Sequence, residues 1–215
     1  MNVYENLYVN LYVNLYASNN ASFTLGKTDL QISQQTSYPW NGKVAILVNP
    51  KKESKFTIKL RVPGWARNEV LPGDLYSYKK ASTQKATISL NGETLAIQPE
   101  NGYFNINRKW KKGDKININL PMEVQEVETN SRVETNKNKV SLEYGPLVYA
   151  VEEMDNKTNF DKINISASDT FKVRKEANLL QGVNVIENSK FKAIPYYSWS
   201  NRGVGKMKVW IDFKN

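Results

Sequence analysis

The sequence predicts an all-β protein built from two antiparallel, jelly-roll-like β-sandwich domains in tandem. Three observations carry that prediction. Nearly every segment alternates apolar and polar residues at period two, the signature of a strand with one buried face. Turn signals punctuate the alternation at Asn41-Gly42, Asn91-Gly92, Asn101-Gly102 and Gly113-Asp114. Helical periodicity is nearly absent, and its best stretch, residues 176–182, is too short to shape a fold. A chain of 215 residues is long enough for two such sandwiches, each with its own core.

The first strand reads from residue 7 to 17. It contains the tetrapeptide Leu-Tyr-Val-Asn at 7–10, again at 11–14, and its first half at Leu15-Tyr16. Leu7, Val9, Leu11, Val13, Leu15 and Ala17 fall on one face, and Tyr8, Asn10, Tyr12, Asn14 and Tyr16 on the other. Because the unit has an even number of residues, a slip by one unit returns identical side chains to identical faces. The register therefore reads as nearly degenerate. A strand this long and uncharged is also a template for edge pairing between chains.

Further strands are predicted at 21–25, 29–36, 43–48, 55–62, 86–90, 103–107 and 115–120. In the last, Ile116, Ile118 and Leu120 face inward while Lys115, Asn117 and Asn119 face out. Residues 67–85 lack periodicity and read as one long loop of the first domain. A polar run after Pro121 marks the boundary, giving a domain over 1–124 and a smaller one over 125–215. The second domain's strands are predicted at 123–128, 139–143, 147–152, 161–166, 170–174, 183–187 and 206–213. Trp65 and Trp110 sit at strand ends, where a large ring closes a sandwich, and are expected in the core.

Composition excludes several chemistries. The chain has no cysteine and no histidine. Disulfides, thiolate nucleophiles, imidazole bases and Cys-based zinc sites cannot be made from it. No apolar run approaches the ~20 residues that span a bilayer, and residues 1–20 carry no basic and apolar leader pattern. The expectation is a soluble chain, without a signal peptide in this sequence and without a membrane partner. The net charge of +9 is scattered in pairs such as Lys51-Lys52 and Lys111-Lys112. Scattered pairs read as solvated turns and edges rather than a nucleic-acid footprint.

The densest acidic cluster is Glu152-Glu153-Asp155, and Glu126 and Glu128 share one strand face. Glycoside hydrolysis usually needs two carboxylates on opposite sides of a sugar, and no spacing argument brings these residues there, so they read as solvated charges. Two aromatic stretches are candidates for carbohydrate contact: Tyr38 and Trp40 in Tyr-Pro-Trp, and Tyr196, Tyr197, Trp199 and Arg202 in the loop after Pro195. Rings stack on sugar faces and a guanidinium bonds hydroxyls. The competing reading is that these rings close sandwich ends or pack against another domain. Three Asn-x-Ser/Thr sequons, at Asn20, Asn156 and Asn164, are expected by chance in an Asn-rich chain.

Six segments, in order, resemble a known family: "LYVNLYASN", "QTSYPWNGKVAI", "LRVPGWA", "NGYFNINRKWKKGDKININLPMEV", "KVSLEYGPLVYAVE" and "AIPYYSWSNRGVGKMKVWI". Together they resemble the C-terminal β-sandwich region of glycoside hydrolase family 127, the β-L-arabinofuranosidases. The resemblance implies a catalytic (α/α)6 barrel elsewhere, with a cysteine nucleophile, a glutamate acid/base and a zinc-bound cysteine cluster. Nothing in this sequence resembles that barrel. No catalytic or metal residue transfers to it, and no cofactor is expected in this chain. The expected function is a non-catalytic accessory portion of such a hydrolase. Its partners would be the barrel or a second copy of the chain, with arabinose-containing glycans as candidate ligands. The alternative is a free-standing carbohydrate-binding module.

Overall fold

The computed structural model describes residues 9–157 and 160–214. Among them helix occurs only as short 3-10 turns, and the rest of the regular structure is β. The chain divides into two compact units. One comprises the residues up to Arg67 together with Gln84–Pro121, and the other comprises Asn68–Thr83 and the chain from Met122 onward.

The first unit contains β1 (Asn10–Val13), β2 (Asn19–Leu25), β3 (Thr28–Thr36), β4 (Lys43–Pro50), β5 (Ser54–Arg61), β7 (Thr87–Leu90), β8 (Glu93–Thr94), β9 (Tyr103–Trp110) and β10 (Asp114–Asn119). They form a three-stranded sheet in the order β1-β5-β9 and a six-stranded sheet in the order β2-β3-β4-β10-β7-β8. The inward residues of both sheets meet in one core. Ile58, Leu60 and Phe104 come from the smaller sheet, and Ile46, Val48, Ile116 and Ile118 from the larger. Strand β10 alternates as its sequence predicts, with Ile116, Ile118 and the following Leu120 buried. Trp110 is fully buried, stacked on Phe56 at 5.8 Å, and its indole N–H donates to the Phe56 carbonyl at 3.0 Å. Trp65 lies in the 3-10 turn Gly64–Arg67 and packs half-buried against the same core.

The opening strand departs from its predicted pattern. Val9, Leu11 and Val13 do face the core, but the alternation stops where β1 ends. Leu15 is 76% exposed, whereas Tyr16, assigned by period to the outer face, is only 7% exposed. The change of phase has a polar cause: the Tyr16 hydroxyl reaches the Arg61 carbonyl at 2.6 Å, and its ring meets Tyr38 edge-on at 6.1 Å. Leu7 and Tyr8 lie outside the described residues. Strand β1 also pairs with β5 in parallel, Asn10 beside Thr57 and Val13 beside Leu60, an exception to the antiparallel expectation.

The second unit contains β6 (Tyr76–Tyr78), β11 (Val124–Thr129), β12 (Lys139–Tyr144), β13 (Leu147–Glu152), β14 (Asn164–Ser166), β15 (Lys172–Glu176), β16 (Val183–Glu187), β17 (Lys192–Pro195), β18 (Met207–Lys208) and β19 (Ile211–Lys214). One sheet runs β14-β19-β12-β13-β17-β16-β15, with β11 joining β12 to β6 and β18 flanking β13. Strand β14 is parallel to β19, the second exception. The core gathers Val140, Leu142, Tyr149, Val151, Ile165 and Ile186.

Residues 67–85, read as a loop of the first domain, behave differently. Their middle supplies β6 to the second unit, where Tyr76–Tyr78 pairs with Val127–Thr129. Three residues are too few to show a period, so the strand exists only through its partner. The segment predicted as one strand at 206–213 is broken into β18 and β19, and 161–166 opens as the 3-10 turn Phe160–Lys162.

Candidate functional site

The second unit brings the aromatic loop and the densest acidic cluster together. Strand β13 ends on Glu152, and the 3-10 turn Glu153–Asp155 follows. Across from it, β17 ends on Pro195 and leads into the 3-10 turn Tyr196–Ser198. Proline has no N–H to continue a ladder, which fixes where strand gives way to turn. From the loop beyond, Arg202 reaches back over 50 residues to the acidic cluster.

Arg202 is the centre of an ion-pair network. Its Nη1 donates to Asp155 Oδ1 at 3.0 Å, and its Nη2 donates to Asp155 Oδ2 at 2.5 Å and to Glu152 Oε2. The other Glu152 oxygen accepts the Ser200 N–H at 3.1 Å. Asp155 also takes the Lys192 ammonium at 2.7 Å. Burial opposes ionisation of Asp155, but the hydrogen bonds and charges of Arg202 and Lys192 outweigh it and hold its carboxyl below the usual range. Its hydrogen bond to Asp155 in turn raises the Arg202 pKa, so the guanidinium stays charged. The neighbouring backbone is pinned as well. Asn156 Nδ2 donates to the carbonyls of Glu152 and Lys192, and Glu153 Oε2 accepts the Lys206 N–H at 3.0 Å.

This geometry corrects the reading of the cluster as solvated charge. The Glu152 side chain is 1% exposed and paired, and Glu153 anchors a loop backbone. The sequence carries no local signal for that pairing, because the partners lie 47 and 50 residues apart. Arg202, a candidate for sugar hydroxyls, has both terminal nitrogens committed to carboxylates. The rings beside it are open: Tyr196 is 48%, Tyr197 52% and Trp199 38% exposed. The site therefore presents three rings on a loop fastened by charge, a surface suited to flat apolar contact.

The other candidates belong to the first unit. Tyr38 packs against that core and Tyr16, its N–H bonds Thr36 Oγ1 at 3.0 Å, and burial raises its phenol pKa. Trp40 is half-buried and its N–H closes a turn onto the Ser37 carbonyl at 2.8 Å.

Glu126 lines a cavity of about 690 Å³ in the second unit, together with Lys79, Ser82, Glu123, Asp169 and Phe171. Burial raises its pKa, with the charge of Lys79 pulling against the rise. Asp169 in the same cavity is held by Lys190 at 2.7 Å and the Ser166 N–H at 2.8 Å. Glu126 and Asp169 thus have opposite environments, but Asp169 is already neutralised by its ion pair with Lys190. Among the described residues no group of three or more acidic side chains is arranged to hold a metal ion. A zinc–cysteine centre of the kind the resemblance implies does not fit this chain, which contains no cysteine or histidine. No described helix is long and apolar enough to cross a membrane.

Residues 10–122 match the family model described as beta-L-arabinofuranosidase, GH127 middle domain, and residues 124–212 match the glycoside hydrolase family 127 C-terminal domain. The two matches meet next to the last division between the compact units, at 121–122, while Asn68–Thr83 falls in the first match but in the second unit. The chain is 27% identical over 224 residues to the non-reducing end beta-L-arabinofuranosidase of Bifidobacterium longum subsp. longum, covering 89% of this chain and 31% of that enzyme. It is similar to the solved structure of a GH127 beta-arabinofuranosidase, with a TM-score of 0.88 and 38% identity over 95% of this chain and 35% of that one. A second similar structure is a GH127 beta-L-arabinofuranosidase from Geobacillus stearothermophilus T6, with a TM-score of 0.83 and 31% identity over 97% of this chain and 34% of that one. The chain spans about a third of the length of these relatives.

Proposed function

This chain belongs to glycoside hydrolase family 127, as its middle and C-terminal domains, and from that premise we propose that it is the non-catalytic β-sandwich support of an enzyme cleaving β-L-arabinofuranosides. The observation that carries the reading is the fate of the acidic cluster. Glu152 and Asp155, members of the densest acidic cluster in the sequence, are fastened to Arg202 inside a structural ion-pair network. A general acid and a nucleophile must both face substrate. These two face a guanidinium.

In this role the sandwiches buttress a catalytic domain, and the ring-bearing loop at Tyr196–Trp199 packs against that domain or a second copy of the chain. The test is hydrolysis of a chromogenic β-L-arabinofuranoside by the 215-residue chain, with and without added zinc. No turnover above background is expected. Turnover that survives repurification overturns the reading.

The exposure of Tyr196, Tyr197 and Trp199 favours a second reading, direct contact with arabinose-containing glycans. Titration of arabino-oligosaccharides against tryptophan fluorescence separates the two. Saturable binding lost in Trp199→Ala supports glycan contact, and a flat response leaves the support role alone.

A further inference from the structure

The tetrapeptide repeat gives two tyrosines the same preceding residues, Val-Asn-Leu, and opposite places in the fold. Tyr12 is 51% exposed, edge-on to Tyr103 at 5.5 Å with the Lys59 ammonium 5.6 Å from its ring. Tyr16 is buried, with its hydroxyl on the Arg61 carbonyl. Val13 is buried and Leu15 exposed, while their counterparts Val9 and Leu11 are both half-buried. Sequence does not distinguish the two tetrads, so only the register of β1 against β5 decides which tyrosine is docked.

A shift of four residues preserves that docking. Val9, Asn10, Leu11 and Tyr12 then fill the places of Val13, Asn14, Leu15 and Tyr16 with identical side chains. The preceding sequence, Asn6-Leu7-Tyr8, offers the same residue types for the places of Asn10, Leu11 and Tyr12. An even shift keeps every side chain on its own face. Strand β1 pairs over only four residues, at the edge of its sheet, so few ladder bonds must break. Two penalties favour the observed register. The place of Val9, against Gly26 at 3.3 Å for an added Cβ, would receive Glu5. The link to β2, now Ala17 and Ser18, would take up four more residues, at a closure cost that grows only logarithmically with length.

We propose that the opening strand has two registers four residues apart: the observed one with Tyr16 docked, and a minor one with Tyr12 docked in its place. The repeat is then a sliding joint that moves the chain ahead of the sandwich by about 13 Å along β5.

The test is a comparison of Tyr16→Ala in the full chain and in a chain lacking residues 7–10. The deletion keeps both tyrosines, but a shift would then press Glu5 into the buried place of Val13. Truncating a buried aromatic with no substitute lowers the folding constant more than about a hundredfold. That loss is expected after the deletion, or outright failure to fold. In the full chain Tyr12 slides in, and the expected loss is at most about thirtyfold. Equal losses in the two backgrounds overturn the proposal, as does failure of Tyr16→Ala to fold in the full chain. A direct readout uses the absence of native cysteine. Val13→Cys in the Tyr16→Ala chain moves to the exposed place of Ala17 and is labelled by a thiol reagent. Labelling no faster than that of Ile46→Cys, which opens only on unfolding, also overturns it.

Discussion

Removing Arg202 isolates what the ion-pair network contributes. In Arg202→Ala, Asp155 keeps the Lys192 ammonium at 2.7 Å, but Glu152 keeps only the neutral Ser200 N–H. With its side chain 1% exposed, Glu152 is then a buried charge without a counter-charge. Breaking one side of such a pair costs about 3–5 kcal/mol. Arg202 is itself 28% exposed, so water partly enters the vacated space and the lower end, about 3 kcal/mol, is expected. Neutralising the orphan should recover most of it: Arg202→Ala with Glu152→Gln is expected to be more stable than Arg202→Ala alone. Urea unfolding suits the measurement because it leaves ion pairs unscreened. Trp199 and Trp210 report on the second unit, and Trp110 on the first. A loss below about 1 kcal/mol in Arg202→Ala, or no recovery in the double variant, refutes the assignment of Glu152 as a buried, charge-dependent anchor.

Trp110→Ala removes a fully buried ring and its bond to the Phe56 carbonyl, and should cost about 3–5 kcal/mol in the first-unit transition. Gly42→Ala would set its Cβ 2.0 Å from the Leu120 carbonyl oxygen, a backbone clash expected to cost at least about 1–3 kcal/mol by the same melt. Asp155 and Asp169 have lowered pKa values, each despite opposing burial, through Arg202 with Lys192 and through Lys190 respectively. Their stabilisation is full above the unfolded carboxylate value of about 3.9 and is lost as pH falls through the depressed folded values, which Tm against pH will show. At the alkaline end, burial raises the phenol pKa of Tyr16, Tyr78 and Tyr149. Their contribution holds below the unfolded value of about 10 and declines as pH rises toward the folded values, a decline that Tyr16→Phe and Tyr149→Phe should reduce.

What was legible in the sequence is what period two can encode. Strands β3, β4 and β10 each bury one face of a long alternating run, and both the all-β class and the inward set Ile116, Ile118 and Leu120 followed from that. Strand β6 could not be read, because three residues with two tyrosines acquire a direction only from β11. Tyr16 was assigned to the wrong face for a related reason. Alternation holds only while a strand is paired, and beyond Val13 a hydroxyl-to-carbonyl bond outweighs the pattern. The aromatic loop was recognised from composition, but the role of Arg202 was not. A cation beside aromatics suggests a ligand site equally well whether its carboxylates lie in a sugar's path or 50 residues back in its own chain.

The excursion of Asn68–Thr83 has a consequence for inheritance. The backbone crosses between the two units three times, at 67–68, 83–84 and 121–122, rather than once. A gene fragment ending at 121 would carry the β6 segment without β11 to receive it, and one beginning at 122 would leave the edge of β11 bare. Neither unit can be excised, shuffled or replaced by a single recombination event without breaking a strand pair. The two sandwiches are therefore tied as one heritable module, joined through their threading.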